Sequence, residues 1–177
     1  MKGMMFTEFL EWVERGWSDD IADRVIDAAA LDSNGAYTAV GTYDHQEFVS
    51  LVVALANETG EPLAGLVKRF GIDLFAILAQ GHPQTVQSAD HAFALLERLD
   101  AHIHPEVQKL YPDAEVPRFD AARDQSRLTL VYRSSRPFAD LAEGLIIGCG
   151  QWFGESLTIE RHSQDDGSTR FEVERGV

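Results

Sequence analysis

Arg127-Leu128-Thr129-Leu130-Val131-Tyr132-Arg133-Ser134-Ser135-Arg136 is the stretch on which the fold turns, because there a helical chain acquires strand character. Residues Arg127 to Ser134 read as a strand. Carried on to Arg136, the two-residue period of a strand puts Tyr132, Ser134 and Arg136 on one face, and Arg133 and Ser135 on the other. Two hydroxyls and a guanidinium in a row make a grip for a carboxylate. The guanidinium's fixed donors match a carboxylate bidentately, and the hydroxyls complete the shell. An ordinary polar strand face would read the same way.

After this stretch, Pro137 to Phe153 reads as a glycine-containing helix. Leu157 and Ile159 then alternate with polar residues, and Asp166-Gly167 sits in a hairpin turn before Phe171 and Val173. Before it, the period is helical. Met5, Phe6, Phe9, Leu10 and Val13 predict a helix over about residues 4–16, ending near Gly16. Ser18 suits the N-cap of a second helix running to Ala28-Ala29-Ala30, and Asp32-Ser33-Asn34-Gly35 is a turn. A third helix, Gln46 to Glu58, turns Phe48, Leu51, Val52 and Leu55 inward and stops at Gly60. Pro62 opens a fourth, with Leu63, Leu66, Val67 and Phe70 on its apolar face. Gly71 to Leu78, apolar nearly all round except at Asp73, predicts a deeply buried segment. Beyond Gly81-His82-Pro83, one long helix over about 86–111 carries Phe93, Leu96, Leu99 and Ile103 until Pro112 stops it. The fold class is therefore α+β. A helical N-terminal lobe, about residues 1–60, packs on a C-terminal lobe, about 61–177, with an antiparallel sheet and helices, all in one domain.

With 45% hydrophobic residues, 177 residues suffice for one sizeable core. The net charge of -14 repels phosphate backbones and anionic lipid surfaces, which argues against nucleic acid and membrane partners. No apolar run approaches the roughly 18 residues that cross a bilayer. Glu8, Glu11 and Glu14 follow the start too closely for a secretory leader, so a cytoplasmic location is expected. The single Cys149 makes no internal disulfide and no cysteine-rich zinc site. It lies in a glycine-rich apolar helix with no adjacent histidine, as an inert thiol does. The three early glutamates form a solvated helix face rather than a catalytic pair, and no enzymatic activity is expected.

Of six histidines, His45 and His162 lie among polar residues without an evident partner, His82 sits in a Gly-His-Pro turn, and His91 falls on an exposed face. His102 and His104 stand two apart, which sends them to different sides of a helix. They do not chelate one metal together, yet either can serve as a single axial ligand. Periodicity does not choose between them.

Several motifs together resemble the H-NOX (haem-nitric oxide binding) family. The chain opens Met-Lys-Gly, and Tyr132-x-Ser134-x-Arg136 matches the family's propionate-binding signature. Leu99-Asp100-Ala101-His102-Ile103-His104-Pro105-Glu106-Val107-Gln108-Lys109-Leu110-Tyr111-Pro112 is similar to its proximal-histidine helix. Pro117-Arg118-Phe119 resembles the segment whose proline distorts the haem, and Gly144-Leu145-Ile146-Ile147-Gly148 resembles a Gly-Leu-Ile-x-Gly helix. Counted back from that proline, the resemblance makes His104 the iron ligand, with His102 as fallback. Pro105 departs from a continuous helix and should kink or restart it. The cysteine-rich zinc site of some bacterial relatives has no counterpart between His162 and Gly176.

The resemblance implies a stand-alone bacterial gas sensor with haem b between its two lobes. Nitric oxide, and also carbon monoxide, would bind the ferrous iron, and release of the proximal histidine would regulate a separate histidine kinase or diguanylate cyclase/phosphodiesterase. Met1, Met5, Phe9, Leu74, Leu78, Leu141 and Leu145 are the expected distal pocket and haem contacts. Leu141, Phe9 and Leu74 take the three positions that hold hydrogen-bonding residues in oxygen-binding members, so nitric oxide is favoured over oxygen. Three alternatives share parts of these features: a haem carrier or O2/CO-binding haem protein without a signalling role, a cofactor-free interaction domain, and an enzyme.

Overall fold

The computed structural model describes residues 1–176, which form two compact units, one from Met1 to Phe70 and one from Gly71 onward. The α+β class holds: among the described residues, eight α-helices accompany one four-stranded antiparallel sheet. None of these helices is long and apolar enough to cross a membrane.

The first unit is helical. It contains α1 (Gly3–Gly16), α2 (Asp19–Ala28), α3 (His45–Thr59) and the first part of α4 (Leu63–Gly81). Local chemistry fixes the helix ends. Ser18 caps α2 by accepting from the Ile21 N–H at 3.2 Å, and Asp44 caps α3 through Gln46 N–H at 2.9 Å. Gly60 ends α3 at φ 71°, a left-handed conformation in which a side chain would be strained. Phe6, Phe9, Phe48 and Phe70 are fully buried. Phe9 meets Phe48 at 5.1 Å and Phe70 at 5.2 Å, both edge to face, the favoured arrangement for ring quadrupoles.

In the second unit, α4 runs on to Gly81 and is followed by α5 (Pro83–Gln87), α6 (Ala92–Leu96), a π-helical turn (Leu99–Ile103) and α7 (His104–Leu110). Between Gly71 and Leu78 only Gly71 and Leu74 are buried, so this is a half-buried helix face and not the deeply buried segment expected. The long helix expected over 86–111 is likewise in pieces. His91 is not a surface residue: its Nδ1 caps α6, accepting from the Ala94 N–H at 2.9 Å. The π turn is defined by bonds from Ile103 N to Arg98 O, 3.1 Å, and from His104 N to Leu99 O. Pro105, which has no N–H to give, falls in the first turn of α7, where none is needed. The helix restarts at His104.

The sheet follows, in the order β1-β2-β4-β3, from β1 (Arg118–Asp124), β2 (Arg127–Arg133), β3 (Leu157–Ser163) and β4 (Thr169–Arg175), with α8 (Ala139–Trp152) between β2 and β3 in sequence. Phe119, Leu128, Leu130, Tyr132, Phe171 and Val173 form its buried face, packed with Phe93 and Leu96 of α6 and Ile146 and Cys149 of α8. The hairpin turn at Asp166-Gly167 forms as expected, with Asp166 Oδ1 accepting from Ser168 N–H at 2.9 Å. Backbones of α4 and α8 come very close through glycines. A Cβ at Gly71 would stand 2.6 Å from the Leu141 carbonyl oxygen, and one at Gly148 would stand 2.5 Å from that of Ile72.

Candidate functional site

Ring contacts tie the sequence-selected residues of the second unit together. His104 lies 6.0 Å from Phe119, centroid to centroid, Phe119 lies 5.3 Å from Tyr132, and Tyr132 lies 6.4 Å from Phe171. Strand register makes this row possible, because Phe119 of β1 pairs directly with Tyr132 of β2. The π turn and the start of α7 then bring His104 against the same edge.

His104 is 13% exposed. Burial pushes its imidazole below the ordinary 6.5, and Asp100 offsets this only in part. Its Nδ1 lies 3.2 Å from Asp100 Oδ1, which also accepts the Phe119 N–H at 2.9 Å. Asp100 therefore orients the ring and anchors it to the first residues of β1. With Nδ1 engaged, Nε2 is the nitrogen left to face a ligand. His102, the fallback, is exposed at the end of the π turn. Pro117 is half-buried, immediately before β1.

The Tyr132/Ser134/Arg136 row exists, though not as a strand face. β2 ends at Arg133, and Ser134 to Pro137 form a bend. Ser134 folds that bend back, accepting the Arg136 N–H on its Oγ at 3.1 Å and hydrogen-bonding the Tyr132 phenol. Burial raises the phenol's pKa, against the pull of Ser134, Arg136 and Arg161. The Arg136 side chain is 14% exposed; its Nη2 donates to Glu115 Oε2 at 2.5 Å and its Nη1 to the Glu115 carbonyl at 3.5 Å. Its Nε is buried and finds no acceptor among the described residues.

Leu74, on α4, is fully buried and Leu141, on α8, nearly so; Leu78 and Leu145 are half-buried. In the first unit, Phe9 is fully buried, Met5 is half-buried on α1, and the Met1 ammonium donates to the Tyr43 carbonyl at 2.6 Å. Sequence reading passed over Asp100, Glu115 and Arg161, which bond Phe119, Arg136 and Asp140 about twenty residues away in the chain. It also left His45 and His162 partnerless, whereas they stand 3.3 Å from Asp44 and 3.9 Å from Glu160. Cys149 is fully buried, and burial pushes its thiol up to about 12, as suits an inert packing group.

A family model described as haem-NO-binding matches residues 2–161. The chain is also similar to solved structures over its full length. An Fe(II) unliganded H-NOX protein from K. algicida superposes with a TM-score of 0.94 at 30% identity, covering 100% of this chain and 97% of that one. An IWP-051-bound H-NOX from Shewanella woodyi in the Fe(II)CO state gives 0.85 at 41% identity, covering 99% and 95%. An H-NOX protein from S. oneidensis in the Fe(II)NO state gives 0.92 at 25% identity, covering all of both chains. No curated protein matches the sequence.

Proposed function

Because the chain belongs to the haem-NO-binding (H-NOX) family of haem-based gas sensors, we propose that it holds haem b and senses nitric oxide at the ferrous iron, with carbon monoxide as a second ligand. In this reading His104 is the iron's protein ligand, Tyr132, Ser134 and Arg136 hold the propionates, and Pro117 presses on the porphyrin.

The residues present fit that group. Arg136 carries an orphaned buried Nε while its Nη2 already lies on the Glu115 carboxylate and its Nη1 on the Glu115 carbonyl, so the fork is turned toward an acid. Glu115, whose side chain is 72% exposed, stands in for a propionate. An ion pair with so exposed a partner is worth only about 0–1 kcal/mol, so its displacement costs little. The single observation that carries the reading is His104, a largely buried imidazole fixed at Nδ1 by Asp100, whose burial favours the neutral ring. A metal ligand requires that state.

Haem, when bound, would supply a ferrous iron able to take a diatomic gas. The chain's part is to select and to report. We assign Met1, Met5, Phe9, Leu74, Leu78, Leu141 and Leu145 to the gas side and its haem contacts. None of these side chains donates a hydrogen bond, and oxygen thereby loses a contribution of roughly 0.5–3 kcal/mol that nitric oxide needs much less. Reporting would fall to His104: a change in its hold on the cofactor would reach β1 through Asp100. A separate cytoplasmic histidine kinase or diguanylate cyclase/phosphodiesterase reads that change, and the chain itself catalyses nothing.

Absorption spectra of the purified ferrous protein test this directly. The expected result is haem uptake, no oxygen complex in air, and a five-coordinate species with nitric oxide. His104→Gly should need added imidazole to restore the ligand-free spectrum, and His102→Ala should not. A folded protein that takes up no haem, or keeps its fifth ligand after both histidines are replaced, refutes the reading. A partner whose activity ignores nitric oxide would leave a haem carrier.

A further inference from the structure

A second guanidinium stands beside the carboxylate grip. Arg161 of β3 pairs in register with Phe171 of β4, which pairs with Leu130 of β2, so Arg161 shares a sheet face with Leu130 and Tyr132. Its charge acts on the Tyr132 phenol in the same sense as that of Arg136. Arg161 Nη1 lies 2.5 Å from Asp140 Oδ1 and 3.5 Å from Glu143 Oε2, both near the N-terminal end of α8, the helix that begins just after Arg136. Glu143 is buried, and a buried carboxylate needs a countercharge.

With Arg161 present, two carboxylates next to the grip are offset by one cation. Without it, the charge that offsets both would be gone from the sheet face that carries Tyr132. We propose that Arg161 is a positioning residue of the grip: by neutralising Asp140 and Glu143, it keeps the Tyr132–Arg136 end attractive to an acidic cofactor tail. The inference rests on the haem reading, although every group Arg161 touches belongs to the protein.

Charge and mechanics predict different signs. A purely mechanical tie between β3 and α8 is broken equally by Arg161→Gln and by Asp140→Asn. An electrostatic role separates them, because the first removes the cation beside Asp140 and Glu143 and the second removes one of the carboxylates. The readouts are the rate of ferric haem transfer from the holoprotein to excess apomyoglobin and the Tm of the haem-free protein. Arg161→Gln should lose haem about three- to tenfold faster, the scale of one screened charge, and the difference should shrink with added salt. Arg161→Lys should stay near wild type, Asp140→Asn should be equal or slower, and Arg161→Gln/Asp140→Asn should recover toward wild type. An unchanged Arg161→Gln, or an Asp140→Asn that accelerates loss as much, overturns the inference while leaving the haem reading intact. Should Arg161→Gln not fold, the comparison of Arg161→Lys with Asp140→Asn decides, faster loss from Asp140→Asn overturning the inference. Wild-type protein that binds no haem overturns both.

Discussion

Replacing Asp100 with alanine removes the acceptor of two donors at once, and the structure allows the loss to be sized. The Phe119 N–H, 2.9 Å from Asp100 Oδ1, belongs to a buried residue and would be left unsatisfied, at about 1–3 kcal/mol. The bond to His104 Nδ1, 3.2 Å, is made by a carboxylate that is 40% exposed, and solvent screening holds its share to about 0.5–1 kcal/mol. Together these come to about 1.5–4 kcal/mol, or roughly 3–16 °C in Tm for a chain of this size. Asp100→Asn keeps an acceptor oxygen for Phe119 and should lose less than half as much. With His104 as the proposed iron ligand, both variants should leave its ring less basic and less well oriented, which for outer-shell partners costs about ten- to hundredfold in metal affinity or activity. The assays are thermal unfolding of the haem-free protein and the iron–histidine stretching frequency of the ferrous protein, which should fall in both variants. A Tm for Asp100→Ala indistinguishable from that of Asp165→Ala, a change in the exposed hairpin loop, together with an unmoved stretching frequency, would refute the argument.

Gly148→Ala should destabilise by about 1–3 kcal/mol, because the new Cβ meets main-chain oxygen at 2.5 Å and Phe75 Cβ at 2.7 Å. Gly65→Ala, in open space on α4, should be neutral or stabilising by up to about 1 kcal/mol, and chemical denaturation separates the two signs. Since burial holds His104 below the ordinary 6.5, the unfolded chain takes up its proton first as the pH falls. His104's contribution to haem-free stability is therefore complete above about pH 6.5 and is lost on acidification through its lower folded value, and His104→Gln should remove that dependence from an unfolding series. Cys149 should resist thiol reagents at pH 8 until denaturant exposes it; fast labelling of the native protein would contradict a thiol held up at about 12.

Local chemistry was readable where it acts locally. Ser18, Gly60 and the Asp166-Gly167 turn mark element ends through bonds to residues a few positions away, and the structure has them where the sequence placed them. β1 carried no signal, because Phe119 is its one buried residue and a strand without alternation looks like loop. The π turn was invisible for a related reason: one extra residue in a turn shifts helical phase, and no side-chain pattern announces it. Composition revealed the Tyr132/Ser134/Arg136 set, but the mechanism bringing it together is a Ser134 bend and not strand alternation. Glu115 and Arg161 act through partners about twenty residues distant, as does Asp100 where it accepts the Phe119 N–H, a relation that no local pattern encodes; the Asp100–His104 bond spans only four residues.

Where α8 crosses α4, the Gly148 and Ile72 main chains touch with no side chain between them. Side chains elsewhere act as cushions, changing rotamer to absorb a small push; here there is nothing to compress. The spacing between the turns that carry Leu141 and Leu145 and the turn that carries Leu74 is therefore gauged by peptide against peptide. Enlarging any of these leucines would crowd the space beside this crossing and would not spread the two helices apart.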